Sequence, residues 1–132
     1  MACGNQHMLL LTNIGTVYGM GDNRYGQLGR PSEMLRIRSL EKLEVPNACS
    51  IRQIACGAHH SIIVDEARTA YGCGEGRYGA VGHASQNNSY EVVPVAIGIQ
   101  KIACGARHTL AINEYGRAYG WGDCSHGQLG LA

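Results

Sequence analysis

The sequence predicts an all-β fold made of tandem four-stranded antiparallel sheets, and three observations predict it. A 28-residue phrase recurs three times without a gap, over residues 2–29, 55–82 and 103–130. Short β-branched or aromatic runs are separated by Gly, Asn, Asp or Pro at intervals of about 8 to 12 residues, which is typical of antiparallel strands. The 19 glycines recur at fixed places, which indicates turns rather than disorder. Four strands per unit is the content of one β-propeller blade.

Each phrase contains the same elements in the same order. It opens with Ala-Cys-Gly-x-x-His, continues as a short apolar strand and a polar turn, reaches Tyr-Gly-x-Gly and closes at Gly-x-x-Gly. We interpret the recurring Cys, His and Gly residues as structural repeat positions. They are Cys3, His7, Gly21, Gly26 and Gly29, then Cys56, His60, Gly74, Gly79 and Gly82, and finally Cys104, His108, Gly122, Gly127 and Gly130.

The connectors, residues 30–54 and 83–102, complete a single array over residues 1–132. Val45-Pro46 precedes Cys56 by the same interval as Val93-Pro94 precedes Cys104, so the repeat extends upstream of the phrase. The first connector carries five extra residues, and its segment 33–43 has mixed periodicity that fits either a turn of helix or another strand. Both termini fall inside the array. We therefore expect part of a longer propeller, with open ends that make the isolated chain self-associate or dissolve poorly.

Composition narrows the class of function. The formal net charge is +1, from 11 basic and 10 acidic residues spread along the chain, whereas a nucleic-acid binder has a clustered basic surface. No apolar stretch approaches the roughly 20 residues of a membrane span, and the N-terminus lacks a signal segment. These features predict a cytoplasmic or nuclear protein without a membrane partner. In such a reducing compartment, Cys3, Cys56 and Cys104 are expected to be free, buried thiols.

The motifs resemble one known family. The Ala-Cys-Gly-x-x-His-Ser/Thr opening, the Gly-x-Val/Ala-Tyr step and the Gly-Asx-x-x-Gly-Gln-Leu-Gly close are similar to the regulator of chromosome condensation repeat. The resemblance covers nearly the whole chain and implies a seven-bladed β-propeller, of which three repeats form an incomplete, open part. The second copy departs most, because Arg68 replaces the turn glycine of the other copies and Ala80-Val81 replaces Gln-Leu.

No residue is predicted to hold a metal or cofactor, or to act in catalysis. The Cys–His pairs superficially fit metal ligation, but each belongs to its own blade, and a structural zinc site needs four ligands at one point. We favour a thiol that packs under its strand and an imidazole that bonds a neighbouring turn. The Gly-x-Gly segments complete no dinucleotide-binding motif. Ser61 and Thr109 directly follow histidines, but adjacent strand residues point to opposite faces, so neither forms a nucleophile pair with that neighbour.

A candidate partner-facing rim follows each Tyr-Gly-x-Gly, where an acidic residue recurs. Two interpretations are open: the acidic residues are displayed to a basic partner, or each caps its own turn. Neighbouring basic residues make the rim mixed in sign, which weakens long-range steering. The candidate residues are Asp22, Arg24, Glu75, Arg77, Asp123 and His126.

The sequence fits two functions. The repeat and the balanced charge favour a protein-interaction scaffold module. The resemblance implies the alternative, a guanine-nucleotide exchange factor, or part of one, for a Ran-like small GTPase. The connectors contain no obvious wedge-like hairpin, residues 83–91 being the nearest candidate, and no exchange residue of that family maps onto this sequence.

Overall fold

The computed structural model describes residues 1–45, 50–76, 81–82 and 87–122 as eleven strands in three sheets. The first sheet contains β1 (Ala2–Cys3), β2 (His7–Leu11), β3 (Val17–Asp22) and β4 (Arg36–Lys42). The second contains β5 (Ile51–Cys56), β6 (His60–Asp65), β7 (Ala70–Gly74) and β8 (Ser89–Ala96). The third, within the described residues, contains β9 (Ile99–Cys104), β10 (His108–Asn113) and β11 (Ala118–Gly122).

Each sheet is an antiparallel meander in which chain order equals spatial order, which confirms the predicted blades. The register repeats as well, because the histidine that opens the second strand lies opposite the last glycine of Tyr-Gly-x-Gly in all three sheets. That glycine has φ values of +112°, +121° and +114° in the three copies. A Cβ there would also press on the carbonyl oxygen of the residue before the histidine. Only glycine meets both conditions without strain.

Residues 33–43, whose periodicity is mixed, contain the strand β4 and no helix. β4 buries Ile37 while Arg36 and Arg38 on either side remain exposed, and Leu43 is buried just beyond the strand. Antiparallel pairing with β3, from Asp22 opposite Arg36 to Tyr18 opposite Lys42, makes this segment a strand, so no helix forms here. The pairing of β3 with β4 shifts register between Gly19 and Gly21, which marks a bulge in this strand.

The core lies between consecutive sheets. Leu9 and Val17 of the first sheet pack in one cluster with Ile63 and Tyr71 of the second. A second cluster joins the second and third sheets through residues that include Val64, Ala70, Ile99 and Ala111. Each blade therefore buries its apolar face against its neighbour, as expected of a repeat array.

Backbone hydrogen bonds join neighbouring sheets at both ends of the strands. At one end the Asn5 amide donates to the Ala58 carbonyl (3.2 Å), and the Ala58 amide donates to the Ala106 carbonyl (2.9 Å). At the other end the Ile51 amide donates to the Gly15 carbonyl and the Ile99 amide to the Arg68 carbonyl, both at 2.9 Å. The junction between blades one and two is thus repeated between blades two and three. Within the described ranges, no helix is long and apolar enough to cross a membrane.

Candidate partner-binding rim and blade seams

The rim predicted from sequence lies at one end of the blades. The strand that ends in Tyr-Gly-x-Gly turns outward beside the preceding hairpin, where the Asp22 amide donates to the Gln6 carbonyl and the Glu75 amide to the His59 carbonyl, both at 2.8 Å. We define the rim as the described residues of these turns, namely residues 4–6, 22–29, 57–59, 75–76 and 105–107. The predicted rim residues Arg77, Asp123 and His126 lie outside the described residues.

Asp22 organises its own turn. Its side chain is buried, its Oδ1 accepts the Arg24 amide at 2.9 Å, and both carboxylate oxygens accept the Arg24 guanidinium at 3.0 to 3.1 Å. Burial alone raises the pKa of a carboxyl, but the hydrogen bonds from Arg24 outweigh it and hold the pKa of Asp22 below its ordinary value. The turn-capping interpretation therefore describes Asp22, and its carboxylate does not face a partner directly.

Arg24 is the exposed member of the pair. Its side chain is 54% exposed, against 2% for Asp22. Its guanidinium carbon lies 5.9 Å from the centre of the Tyr25 ring, and that ring lies 4.9 Å from the ring of His59 in the next blade. The hydroxyl of Tyr90, also in the second blade, donates to the Arg24 carbonyl at 3.0 Å. Arg24 is thus a solvent-accessible cation held in place across the junction of two blades.

The second copy of the rim is built differently. Glu75 is half-buried, and its longer side chain is less suited than aspartate to cap the turn that follows it. Gly76 takes the position that Asn23 has in the first copy, and its amide donates to Asn88 Oδ1 at 3.3 Å. The recurring acidic position therefore does not recur as one arrangement.

Asn23 is a residue that the sequence analysis missed. It is fully buried, its amide nitrogen donates to the carbonyls of Arg30, Pro31 and Met34, and its oxygen accepts the Leu28 amide. These bonds fold residues 23–34 into one ordered loop. The available signal was an asparagine directly after the aspartate, a residue type that commonly bonds local backbone groups.

The described glycines at the close of each phrase adopt backbone conformations that favour glycine. Gly26, Gly29 and Gly82 have φ values of +87°, +65° and +97°. Gly79, Gly127 and Gly130 lie outside the described residues. A Cβ on Gly26 would overlap the Ser89 carbonyl oxygen of the second blade, so the close of the first phrase packs directly on the next sheet.

The recurring histidines join blades. His7 Nε2 lies 3.0 Å from Ser61 Oγ of the second blade, and His60 Nε2 lies 3.0 Å from Thr109 Oγ1 of the third. The Ser61 hydroxyl donates its proton to the Gln27 carbonyl at 2.7 Å, so it accepts from His7, whose Nε2 carries the hydrogen. The expectation that the imidazole bonds a neighbouring turn was wrong for His7 and His60, because the partner of each is a hydroxyl one blade further on. We call this contact the seam bond.

The imidazole rings explain another recurring glycine. In the opening Ala-Cys-Gly the glycine lies under the imidazole, and a Cβ on Gly4, Gly57 or Gly105 would overlap that ring. His7 and His60 are both buried, and burial lowers the pKa of each imidazole to about 4. Both imidazoles are therefore neutral at pH 7 and serve as uncharged hydrogen-bonding groups.

The cysteines differ from one another in burial. Cys73 is buried, Cys56 and Cys104 are half-buried, and all three are free thiols whose pKa burial raises to about 12. Cys3 is exposed, contrary to the expectation of a buried thiol, because no other sheet of the described residues covers that side of the first blade. No group of three His, Cys, Asp or Glu side chains among the described residues is arranged to hold a metal ion.

Antiparallel four-stranded blades, each packed face to face on the next, define a β-propeller repeat protein. Residues 15–64 and 69–112 match the regulator of chromosome condensation (RCC1) repeat, and a second form of the same repeat matches residues 1–27, 51–80 and 99–128. The chain belongs to the RCC1 repeat family.

Individual relatives agree with this assignment. The chain is 42% identical over 84 residues to a Protein RCC2 homolog of Danio rerio, which covers 64% of this chain and 17% of the relative. It is 33% identical over 94 residues to an RCC1-like G exchanging factor-like protein of Homo sapiens, covering 66% of this chain and 19% of the relative. The chain thus spans about a fifth or less of the length of these curated relatives.

A solved structure shows the same fold. The crystal structure of Prp20p from Saccharomyces cerevisiae, described with its binding to Gsp1p and histones, superposes with a TM-score of 0.88 at 25% identity. The match covers 98% of this chain and 34% of Prp20p. The described residues therefore correspond to about three blades of an RCC1-type propeller.

Proposed function

We propose that this chain is a protein-interaction module, part of a propeller scaffold whose rim binds another protein rather than catalysing a reaction. Arg24 carries the proposal. Arginine and tyrosine are the residue types that dominate protein interfaces energetically, and here both lie together on an ordered loop. Because Asp22 and Tyr90 already fix this loop, less conformational entropy is lost when a partner binds.

The charge of the rim indicates the chemistry of the partner. The carboxylate of Asp22 is buried and already accepts hydrogen bonds from Arg24, so Arg24 is the more accessible charge of the pair. An arginine held in this way favours a carboxylate on the partner, with Tyr25 and His59 supplying neighbouring aromatic surface. The proposed partner is a protein in the cytoplasm or nucleus that presents an acidic group to this junction of two blades.

Affinity capture with charge-reversed variants tests the rim. We expect Arg24→Glu to lose specific partners that the unmodified protein and Arg117→Glu both retain, because Arg117 is an exposed arginine of the β10–β11 turn, at the opposite end of the strands. Quantitative mass spectrometry of the three captures provides the measurement. Equal capture by Arg24→Glu and Arg117→Glu would remove the rim from the interface.

A second candidate function is guanine-nucleotide exchange on a small GTPase. The observation that favours it is the similarity to a protein named as an exchange factor-like relative. A release assay with a fluorescent guanine nucleotide preloaded on Ran-type GTPases measures it directly. Faster release in the presence of this protein supports exchange, and unchanged release across the panel excludes it and leaves the scaffold function.

A further inference from the structure

The outer edge of β4 is a second candidate binding surface, independent of the rim. β4 is the last strand of its sheet and pairs only with β3 within the described residues. The blades contact each other chiefly through β1, β2, β5, β6 and β9. The outer edge of β4 therefore points away from the junctions between blades. As at any terminal strand, backbone amide and carbonyl groups along this edge are directed outward.

This edge is strongly basic. Arg36, Arg38 and Lys42 are all exposed, and none forms an ion pair with another residue in the described part of the chain. The strand's acidic residue, Glu41, is already paired with Arg30 at 3.3 Å. Arg30 also donates to the Lys42 carbonyl at 2.5 Å, so a backbone acceptor at this end of the edge is already used and the available part of the edge lies towards Arg36.

The edge also offers an apolar contact. The register shift opposite Gly19 and Gly21 lies at the middle of β4, where Leu40 is 45% exposed. An exposed leucine between basic residues is suited to a partner strand that carries both apolar and acidic side chains. Cross-strand pairs of this kind contribute roughly 0.2 to 1 kcal/mol each.

The equivalent strand of the second blade is different. β8 contains Pro94, which has no amide hydrogen to donate, and Glu91, and it carries no lysine or arginine. Proline in an edge strand is a common means of preventing edge pairing. β4 has no proline and lies in the connector that is five residues longer than its counterpart. The basic edge is thus a feature of the first blade and not of the repeat.

We propose that the β4 edge binds an extended acidic segment of a partner protein as an added strand. Strand addition obtains affinity from backbone hydrogen bonds and specificity from alternate side chains. The arginines disfavour pairing with β4 of a second copy, because like charges would then lie opposite one another, and the same arginines favour an acidic strand. Three cations on one short strand suit a peptide better than nucleic acid, which needs many phosphate contacts.

Fluorescence anisotropy with labelled peptides on the intact protein tests the proposal. The first probe is an alternating Glu-Val peptide of about ten residues, long enough to pair along a strand of ordinary length. A second, proline-containing peptide replaces two valines and two glutamates near its centre by proline, which removes backbone donors from both edges of the strand, and two added terminal glutamates keep the charge. An alternating Lys-Val peptide and a single-stranded oligonucleotide complete the set.

We expect the Glu-Val peptide to bind and the proline-containing and Lys-Val peptides not to bind. The double variant Arg36→Gln/Arg38→Gln should weaken binding about fivefold to tenfold, the size expected for two cross-strand charge pairs. The matched control Arg52→Gln/Arg117→Gln removes two other exposed arginines and should bind as the unmodified protein does. Unfolding midpoints of both double variants establish that they are folded.

Four outcomes overturn the proposal. Absence of Glu-Val binding removes the site, and equal binding of the proline-containing peptide removes strand addition. Equal weakening by the two double variants shows attraction to net charge alone. Tighter binding of the oligonucleotide, with displacement of the peptide, assigns the edge to nucleic acid instead.

Discussion

At the scale of single residues, the recurring glycines have three distinct physical causes. Gly21 and its equivalents need a positive φ beside a backbone carbonyl, whereas Gly57 leaves room for an imidazole ring. Gly19 leaves room for Leu28 and Leu43 between the blades. Arg68 lies at the turn position that glycine occupies in the other two copies. It also adopts a positive φ, +66°, so the turn requires this backbone conformation even of a non-glycine residue. A repeated residue type is thus no evidence of one repeated role.

Gly26 and Gly116 make a matched pair for measuring one of these causes. Both have positive φ, at +87° and +82°, but a Cβ on Gly26 would overlap the Ser89 carbonyl whereas nothing lies within 4 Å of one on Gly116. Gly116→Val should cost the backbone strain alone, about 1 to 2 kcal/mol. Gly26→Val should cost more, and urea unfolding of the two variants measures the difference. Equal losses would show that the contact with the second blade contributes nothing.

At the rim, some roles of single residues could be predicted from the sequence and others could not. An acidic residue after Tyr-Gly-x-Gly left two interpretations open, display to a partner or a capped turn, and Asp22 caps its turn. The pattern could not reveal that Arg24 would neutralise that carboxylate or that Asn23 would hold the loop. The Arg24 bond depends on the side-chain conformation that the folded turn selects, and the Asn23 bonds depend on carbonyls up to 11 residues away, whose positions are set by the tertiary fold.

At the scale of elements, the short antiparallel strands of each blade were predictable because β-branched runs and turn residues are local signals. Residues 33–43 mix both periods and fit either helix or strand, and only pairing with β3 makes Arg36–Lys42 a strand. The seam bonds were not predictable. His7 and Ser61 are 54 residues apart, and only the packing of two complete sheets brings them together.

Burial of the seam histidines makes stability depend on pH. The pKa of His7 and of His60 is about 4 in the folded state and 6.5 in the reference state, so the unfolded chain binds more protons between these values. The free energy of unfolding should therefore fall as the pH drops from about 6.5 to 4, by up to about 1.4 kcal/mol per pH unit for each histidine.

Urea unfolding at several pH values, compared between the protein and His60→Gln, measures this effect. The glutamine keeps a side-chain donor but does not titrate, so the slope of stability against pH should be reduced by about half in that window. An unchanged slope would show that another group, and not the seam histidine, is responsible.

At the scale of the whole molecule, the repeat is a series of nearly identical junctions. Each blade buries apolar side chains against the next, and each junction adds a seam bond and backbone hydrogen bonds at both ends of the strands. Stability of such an array is approximately the sum of the blades and their nearest-neighbour interfaces. The surfaces that differ between blades include the two proposed binding surfaces, the Arg24 loop and the β4 edge.

The central claim is that the recurring histidines stabilise the junctions between blades. A double-mutant cycle of His7→Ala and Ser61→Ala, measured by urea unfolding, tests it most directly. We predict a coupling free energy of about 0.5 to 1.5 kcal/mol, the net contribution of a buried hydrogen bond. His7→Ala with Thr109→Ala is the control, because Thr109 receives its seam bond from His60, and these changes should be additive. Additivity of His7→Ala and Ser61→Ala as well, within about 0.3 kcal/mol, would contradict the claim.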